Sequence, residues 1–336
     1  MVESSAGIPA ADGPYFDDLT IGQEFTGAPA VTVTDGLAAA HQAITGDRLA
    51  LTLDRELCRE VTGGSPVAPA ALVWDLAIGQ STVVTRRVRA NLFYRGLAFR
   101  RVPEIGDTVR TRTEVVALRQ NQPRPGRAPT GLAALRITTT DQQSRPVLDF
   151  WRCAMLPLRD QDAQTGHADD LDRVGQDAPM SAFAAPVAGW RLDRLAGQLP
   201  GPHPADLQAD QRFEVTGGDV VSSAPELARL TLNVAAVHHD ARAGGGERLV
   251  YGGHTIALAL SQAARALPAL VTVTGWHGCD HLGPVREGDT LRSTITVEQV
   301  DYLAGGGGLA HLRSVVRADG EPDRDVLDWR YVAVLA

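Results

Sequence analysis

Two segments in the second half of the chain carry the residue types that water chemistry needs. One is Asn-Val-Ala-Ala-Val-His-His-Asp over residues 233–240, and the other is Leu-Val-Tyr-Gly-Gly-His-Thr over 249–255. His238 brings an imidazole that titrates near neutrality and suits a general base. Asn233 brings an amide that can orient a water or the ring but has no acidic proton to give. The Gly-Gly pair opens an apolar run, so Gly253 is expected to present a backbone N–H at a helix start. Free donors and the helix dipole favour a developing oxyanion there. Glycine at 252 and 253 also lets a ligand approach the main chain closely. Water held at such a site can be brought against a thioester carbonyl. Tyr251, Gly252, His254 and Asp240 are the candidates for substrate contacts. Plainer roles compete with these: Asp240 suits a helix N-cap, His239 a solvated or capping position, and His254 either a helix cap or a pocket wall.

These residues need a scaffold, and the sequence writes one twice. Glu104-Ile-Gly-Asp-Thr-Val-Arg110 returns as Arg286-Glu-Gly-Asp-Thr-Leu-Arg292, and Val147-Leu-Asp-Phe-Trp151 as Val326-Leu-Asp-Trp329, at offsets of 182 and 179 residues. Asp47 precedes Asn233 by 186 residues, and Val67-Ala-Pro-Ala70 precedes Val250-Tyr-Gly-Gly253 by 183. The shared order and spacing point to internal duplication. Each copy reads as a short helix (35–44 and 224–232), a polar loop, a long apolar helix (70–80 and 255–267) and then alternating strands, among them 108–117 and 290–300. Both long helices are apolar nearly all round, as a helix enclosed by a sheet must be. The expected class is α+β, in two units, each a long central helix wrapped by an antiparallel β-sheet. The expected boundaries are a disordered tail over 1–14, the first unit over 15–159, a linker over 160–210 with one ordered patch at Trp190-Arg191-Leu192, and the second unit over 211–336. The stretches 121–130 and 304–308 read as hairpin tips.

Composition narrows the function classes. A chain of 336 residues, 44% hydrophobic and 21% charged, has the make-up of a soluble globular protein with room for two cores. Its net charge is −8 and every fixed cation is arginine, which argues against nucleic-acid binding. Cys58, Cys153 and Cys279 are scattered and form no CxxC pair, so reduced thiols and a cytoplasmic location are expected. Residues 1–13 lack the features of a signal peptide. The apolar run 256–273 is broken by Gln262, Arg265 and Pro268, so no membrane span is expected. No cofactor or metal is expected either, because His238, His239, Asp240, His254, His277 and His281 meet no familiar ligand spacing.

The opening Tyr15-Phe-Asp-Asp-Leu-Thr-Ile-Gly-Gln-Glu-Phe25 resembles the start of the MaoC-like hydratases of the hotdog fold. In that family Asp-x-Asn-Pro-(apolar)-His-x-Asp, followed by an apolar-His-Gly-Met turn, falls where this chain has 233–240 and 250–254. A nearer likeness is to the double-hotdog mesaconyl-CoA hydratases, also called β-methylmalyl-CoA dehydratases, in Asn-x-Ala-x-Val-His and Leu-Val-Tyr-Gly-Gly-His. In the first half the similar segments are 46–51, 91–94 and 146–151. The chain also resembles actinobacterial double-hotdog proteins of unassigned substrate. The resemblance implies a double hotdog acting as an (R)-type enoyl-CoA hydratase/dehydratase on an acyl-CoA or acyl-carrier-protein thioester, with a branched dicarboxylyl-CoA such as mesaconyl-CoA as one candidate. It implies His238, Asn233 and Gly253 as catalytic residues, an acyl pocket between the halves, and pairing of whole chains as homodimers. Arg95 is the candidate for holding a free carboxylate of the acyl group.

The departures from the family pattern matter as much. The usual hydratase aspartate is Asn233 here, and in the first copy the usual histidine is Thr52 and the usual Asn-Pro is Leu49-Ala50. One conventional site at most is therefore expected. An alternative is a non-catalytic acyl-thioester or acyl-carrier-protein binding protein in which Asn233 marks lost chemistry. A thioesterase would want a carboxylate near the helix start, where none is evident.

Overall fold

Two helices with almost no polar face must be hidden, and the chain hides both by curling one sheet around them. The computed structural model describes residues 13–175, 178–195 and 197–336, so most of the expected tail, residues 1–12, lies outside the described residues. The first half contains β1 (Glu24–Phe25), β2 (Val31–Thr32), α1 (Asp35–Thr45), α2 (Ala50–Leu53), α3 (Arg55–Thr62), α4 (Ala70–Gln80), β3 (Ala90–Phe99), β4 (Thr108–Gln120), β5 (Thr130–Thr140) and β6 (Pro146–Pro157). A connecting segment carries α5 (Met180–Ala184). The second half repeats the series as β7 (Arg212–Glu214), β8 (Asp219–Val220), α6 (Ala224–Leu230), α7 (Gly252–Ala266), β9 (Leu270–His281), β10 (Thr290–Tyr302), β11 (Gly308–Ala318) and β12 (Arg324–Leu335).

The strands form one sheet in the order β1-β4-β5-β6-β3-β9-β12-β11-β10-β7, with β2 on β4 and β8 on β10. The order is a palindrome about the antiparallel β3–β9 pair, in which Tyr94 faces Cys279 and Leu97 faces Trp276. The repeat offsets thus map onto two equivalent five-strand series fused edge to edge, which removes one exposed edge from each. Period-2 alternation fills the inside. Leu148, Phe150, Ala154 and Leu156 of β6 join the core around α4 and α7, and so do Leu327, Trp329, Tyr331, Ala333 and Leu335 of β12. Trp74 of α4 packs edge-on against Trp276 and Trp329 at centroid distances of 5.0 and 6.1 Å. No helix among the described residues is long and apolar enough to cross a membrane.

Two boundaries differ from the sequence reading. α7 begins at Gly252 rather than 255, because the Gly-Gly pair is the first helical turn and not the turn before it. The segment 160–210 is more ordered than its composition suggests. Its short helical turns bury Phe183, Val187, Leu192 and Leu195 with Val271, Val332 and Val334 in a second apolar layer apart from the main core. Turns of three to five residues leave no helical periodicity to read, so only burial reveals them.

α4 and the second half touch so closely that Gly79 has no room for a side chain: a methyl there would lie 1.8 Å from the Thr231 carbonyl oxygen. Helix propensity alone would make alanine the better residue by about 1 kcal/mol. Overpacking of this kind costs about 1–3 kcal/mol. Gly79→Ala is therefore expected to lower the melting temperature, and a rise would show that the contact is slack.

Candidate active site

The polar loop that follows α6 is clamped from both sides. Val234 N–H donates to Thr82 Oγ1 at 2.9 Å, and Ala236 N–H donates to the Arg86 carbonyl at 2.9 Å, so the first half holds the loop of the second. Within the loop, His239 Nε2 meets the Asn233 carbonyl at 2.6 Å and closes it. His239 thus has a tethering role beyond the solvated position expected of it.

Asn233 is 2% exposed. Its Oδ1 accepts from the Ala235 N–H at 3.0 Å, an Asx turn that uses the acceptor end of the amide. Its Nδ2 is buried without a partner. Asp47 makes the same turn in the first copy, with Oδ1 accepting from Leu49 N–H at 3.0 Å. There, however, Thr52 Oγ1 donates to the Leu49 carbonyl at 2.7 Å, so the first copy folds its polar groups onto its own loop.

His238 lies across the loop from Asn233. Its Nδ1 can only donate to the Leu249 carbonyl, at 2.8 Å, which leaves Nε2 as the ring's lone pair. Burial pushes its pKa down to about 4. The Leu249 carbonyl resists that shift, and His239 and the Arg152 charge add to it. The ring is therefore neutral at physiological pH and its Nε2 is a base without competition from a proton.

Asn233, His238, Tyr251 and Gly252 line one cavity of about 560 Å³. Its other wall comes from the first half, with Thr82, Thr85, Asn91, Tyr94 and Arg152, so the pocket runs between the halves as expected. Among the described residues, no aspartate or glutamate lines it. Tyr251 also bridges the halves: its hydroxyl donates to the Asp75 carbonyl at 3.1 Å and lies 3.3 Å from Asp75 Oδ1. Asp75 Oδ2 in turn meets His41 Nε2 at 3.0 Å, with both side chains fully buried. Burial raises the Asp75 pKa, and the His41 and Tyr251 contacts oppose that rise only in part.

Four of the expected site residues lie elsewhere. Gly253 does not line the cavity. A methyl on it would fall 2.1 Å from Asp75 Oδ1 and against the Tyr251 ring, so its smallness serves the packing of α7 on α4. His254 is two residues past Gly252, about 200° around the helix, and points away from the cavity. It is fully buried with both ring nitrogens unpartnered, and burial lowers its pKa to about 4. Asp240 is exposed and accepts from Arg242 N–H at 2.9 Å in a surface turn. Arg95 follows Tyr94 on β3 and so points to the other face of the sheet. It stacks over Phe93 and donates to the carbonyls of Leu171 and Val174 at 3.0 and 3.1 Å.

The cavity also gathers residues that motif reading passed over. His281 lines it with Nε2 buried and unpartnered. Burial, with a smaller push from His238, lowers its pKa to about 4. A methyl on Gly252 would lie 2.5 Å from that nitrogen, so the glycine makes room for the imidazole. His277 faces the other way, 2.8 Å from His311 and edge-on to Phe183, so the histidines of β9 do not converge. Arg152 is the remaining omission. The visible signal for it is alternation, because an arginine occupies a pleat position whose neighbours two residues away, Phe150 and Ala154, are both core.

No family model matches the chain. A Mycobacterium tuberculosis protein, described as a conserved hypothetical protein with a double hotdog fold, is 55% identical, with a TM-score of 0.91 over 97% of this chain and 100% of that one. A β-methylmalyl-CoA dehydratase of Chloroflexus aurantiacus is 27% identical over 95% of this chain and 91% of its own length. A mesaconyl-CoA hydratase of Cereibacter sphaeroides is 27% identical over 92% and 90%. Given the palindromic sheet, the two enclosed helices and a relative that matches end to end at more than half its positions, the chain belongs to the double-hotdog family.

Proposed function

We propose that the chain is a hydro-lyase that adds water across the α,β double bond of an acyl-CoA thioester and catalyses the reverse dehydration. The substrate is of the kind named for its relatives, β-methylmalyl-CoA and mesaconyl-CoA. The observation that carries the reading is the state of His238. Its Nδ1 is committed to the Leu249 carbonyl, its Nε2 keeps a lone pair, and the unpartnered Nδ2 of Asn233 lies in the same cavity beside the start of α7.

In the hydration direction, His238 Nε2 takes a proton from a water that Asn233 Nδ2 helps to position. The water oxygen bonds to C3, and the π electrons move through C2 to the thioester oxygen. The first-turn N–H of Gly252, which lines the cavity, suits that oxyanion because it has no partner within the helix. The His238 imidazolium then returns the proton to C2, which completes the addition of one water with no net charge change. One base acting in both directions dispenses with the carboxylic acid that the cavity lacks. In this reading residues 211–336 carry the chemistry, and 15–159 are a degenerate copy that supplies the facing wall.

The absence of any carboxylate from the cavity favours a second reading, an acyl-thioester binding protein without turnover. Loss of the enoyl absorbance across a panel of enoyl-CoA substrates separates the two. Hydration by the wild type, reduced about 100- to 10,000-fold in His238→Ala, is the expected result. Binding of the thioesters with no turnover of any would establish the second reading instead.

The pH dependence tests the same assignment. His238 must be neutral to act, so kcat/KM is expected to stay level through pH 6 and fall only as pH drops through about 4. A limb near the ordinary histidine value of about 6.5 would contradict the assignment. Stability changes over the same window. His238, His254 and His281 have folded pKa values near 4, below the unfolded value, so the unfolded chain binds more protons between the two. The fold is therefore most stable above about pH 6.5 and loses stability as pH falls toward 4. Rates should be read in brief pH-jump assays, and the melting temperature should fall over that interval.

A further inference from the structure

Three arginines line the cavity; Arg89 is exposed and Arg286 pairs with Glu247, which leaves Arg152 as the buried cation without a counter-ion. Arg152 is 3% exposed and occupies an inward pleat of β6. Its Nη2 donates to Thr85 Oγ1 at 2.7 Å and to the Ser81 carbonyl at 3.2 Å, while its Nε is buried with no partner. No aspartate or glutamate forms an ion pair with it among the described residues. Arginines elsewhere on the sheet are matched: Arg136 meets Asp149, and Arg313 meets Asp328. Burial lowers the Arg152 pKa, yet a guanidinium holds its proton in proteins, so the cavity carries a positive charge.

A buried charge is costly unless something pairs with it. The bond to Ser81 caps the end of α4, a sensible place for a cation, but it engages one nitrogen, and the other side chain that meets the guanidinium besides Thr85 is the neutral Tyr94 hydroxyl. The duplication sharpens the point. The register that makes Asp149 and Asp328 equivalent places Tyr331 opposite Arg152, and Tyr331 is a buried aromatic stacked on Trp329. The fold therefore accepts a neutral ring at this pleat, and the cation is peculiar to the half that faces the cavity.

We infer that Arg152, with Thr85 and Tyr94 beside it, binds a free carboxylate on the acyl group and selects dicarboxylic acyl thioesters over alkyl ones. The inference rests on the thioester reading of the cavity and gives its substrate class a named determinant. Arg152 lies near enough to the reacting end for its charge to be felt at His238, Tyr251 and Tyr94, which fits a short acyl chain.

Succinyl-CoA and butyryl-CoA, which have no double bond to hydrate, make the test by calorimetry. The wild type is expected to bind succinyl-CoA more tightly than butyryl-CoA by a factor on the order of 10 to 100, the worth of a buried charge-assisted pair. Arg152→Met is expected to lose that preference and to bind butyryl-CoA within about twofold of the wild type. Arg152→Lys keeps the charge but not the planar fork, so a partial preference is expected, and it serves if the methionine variant fails to fold. Equal affinity of the wild type for both thioesters would overturn the inference, and so would an equal loss of both in the variants, which is what a purely structural cap predicts. The hydratase reading fails separately. A wild type that prefers succinyl-CoA but hydrates no enoyl-CoA loses the catalysis and keeps the Arg152 site. One that hydrates crotonyl-CoA without any succinyl preference does the reverse.

Discussion

The crossing of α4 and α7 inside the curled sheet is the constraint on which the rest of the structure depends. The two apolar helices meet so closely that Gly253 of α7 has no room for a side chain against Asp75 of α4, and Gly79 of α4 has none against Thr231 at the end of α6. At that contact a polar ladder runs from His41 through Asp75 to Tyr251, entirely out of water. A buried ladder of this kind tolerates little displacement, since every group in it is costly to leave unmatched. The loop 233–240 inherits that rigidity, because Thr82, just beyond α4, holds Val234. The site of the second half is thus aligned by the helix of the first.

The two copies start alike at the polar loop and then part. Asp47 and Asn233 form the same Asx turn at equivalent places, so the backbone trace of the loop is set by the turn and is indifferent to the charge of the residue. The copies part at the next step. Thr52 satisfies itself on the Leu49 carbonyl, whereas His238 turns toward Leu249 and leaves a lone pair in open space. The first half supplies the facing wall of the cavity.

The fold was legible because it is repetitive. α4 falls at residues 70–80 in sequence and structure alike, since an all-round apolar run admits one burial, and the paired Gly-Asp turns set the offset between copies. Asn233, His238, Tyr251 and Gly252 were legible as a local pattern, and the structure brings all four to one cavity. His254 and Arg95 were misplaced for a geometric reason. Adjacency in sequence is not adjacency in space when a residue lies half a turn around a helix or one pleat along a strand. Arg152 was hidden behind a related error, because the matched segment Val147–Trp151 stopped one residue short of it. The order in 160–210 left no trace because its turns are too short to show a period.

The same geometry bears on why an asparagine stands at 233. The amide oxygen is spent on the Ala235 N–H, so an aspartate would keep the turn and add only a buried negative charge to the same small cavity. In the empty site that charge would be drawn to Arg152, the buried arginine among the three that line the cavity, and would compete for the counter-ion position before any substrate arrived. It would also raise the pKa of His238, pulling the base toward the protonated form that cannot accept a proton from water. With asparagine, His238 and His281 stay neutral, and the one buried cation of the cavity, Arg152, is left for a carboxylate of the substrate to pair with. Asn233 and Arg152 are then a matched pair, in which loss of the protein's own acid leaves the cation available for the acid of the substrate.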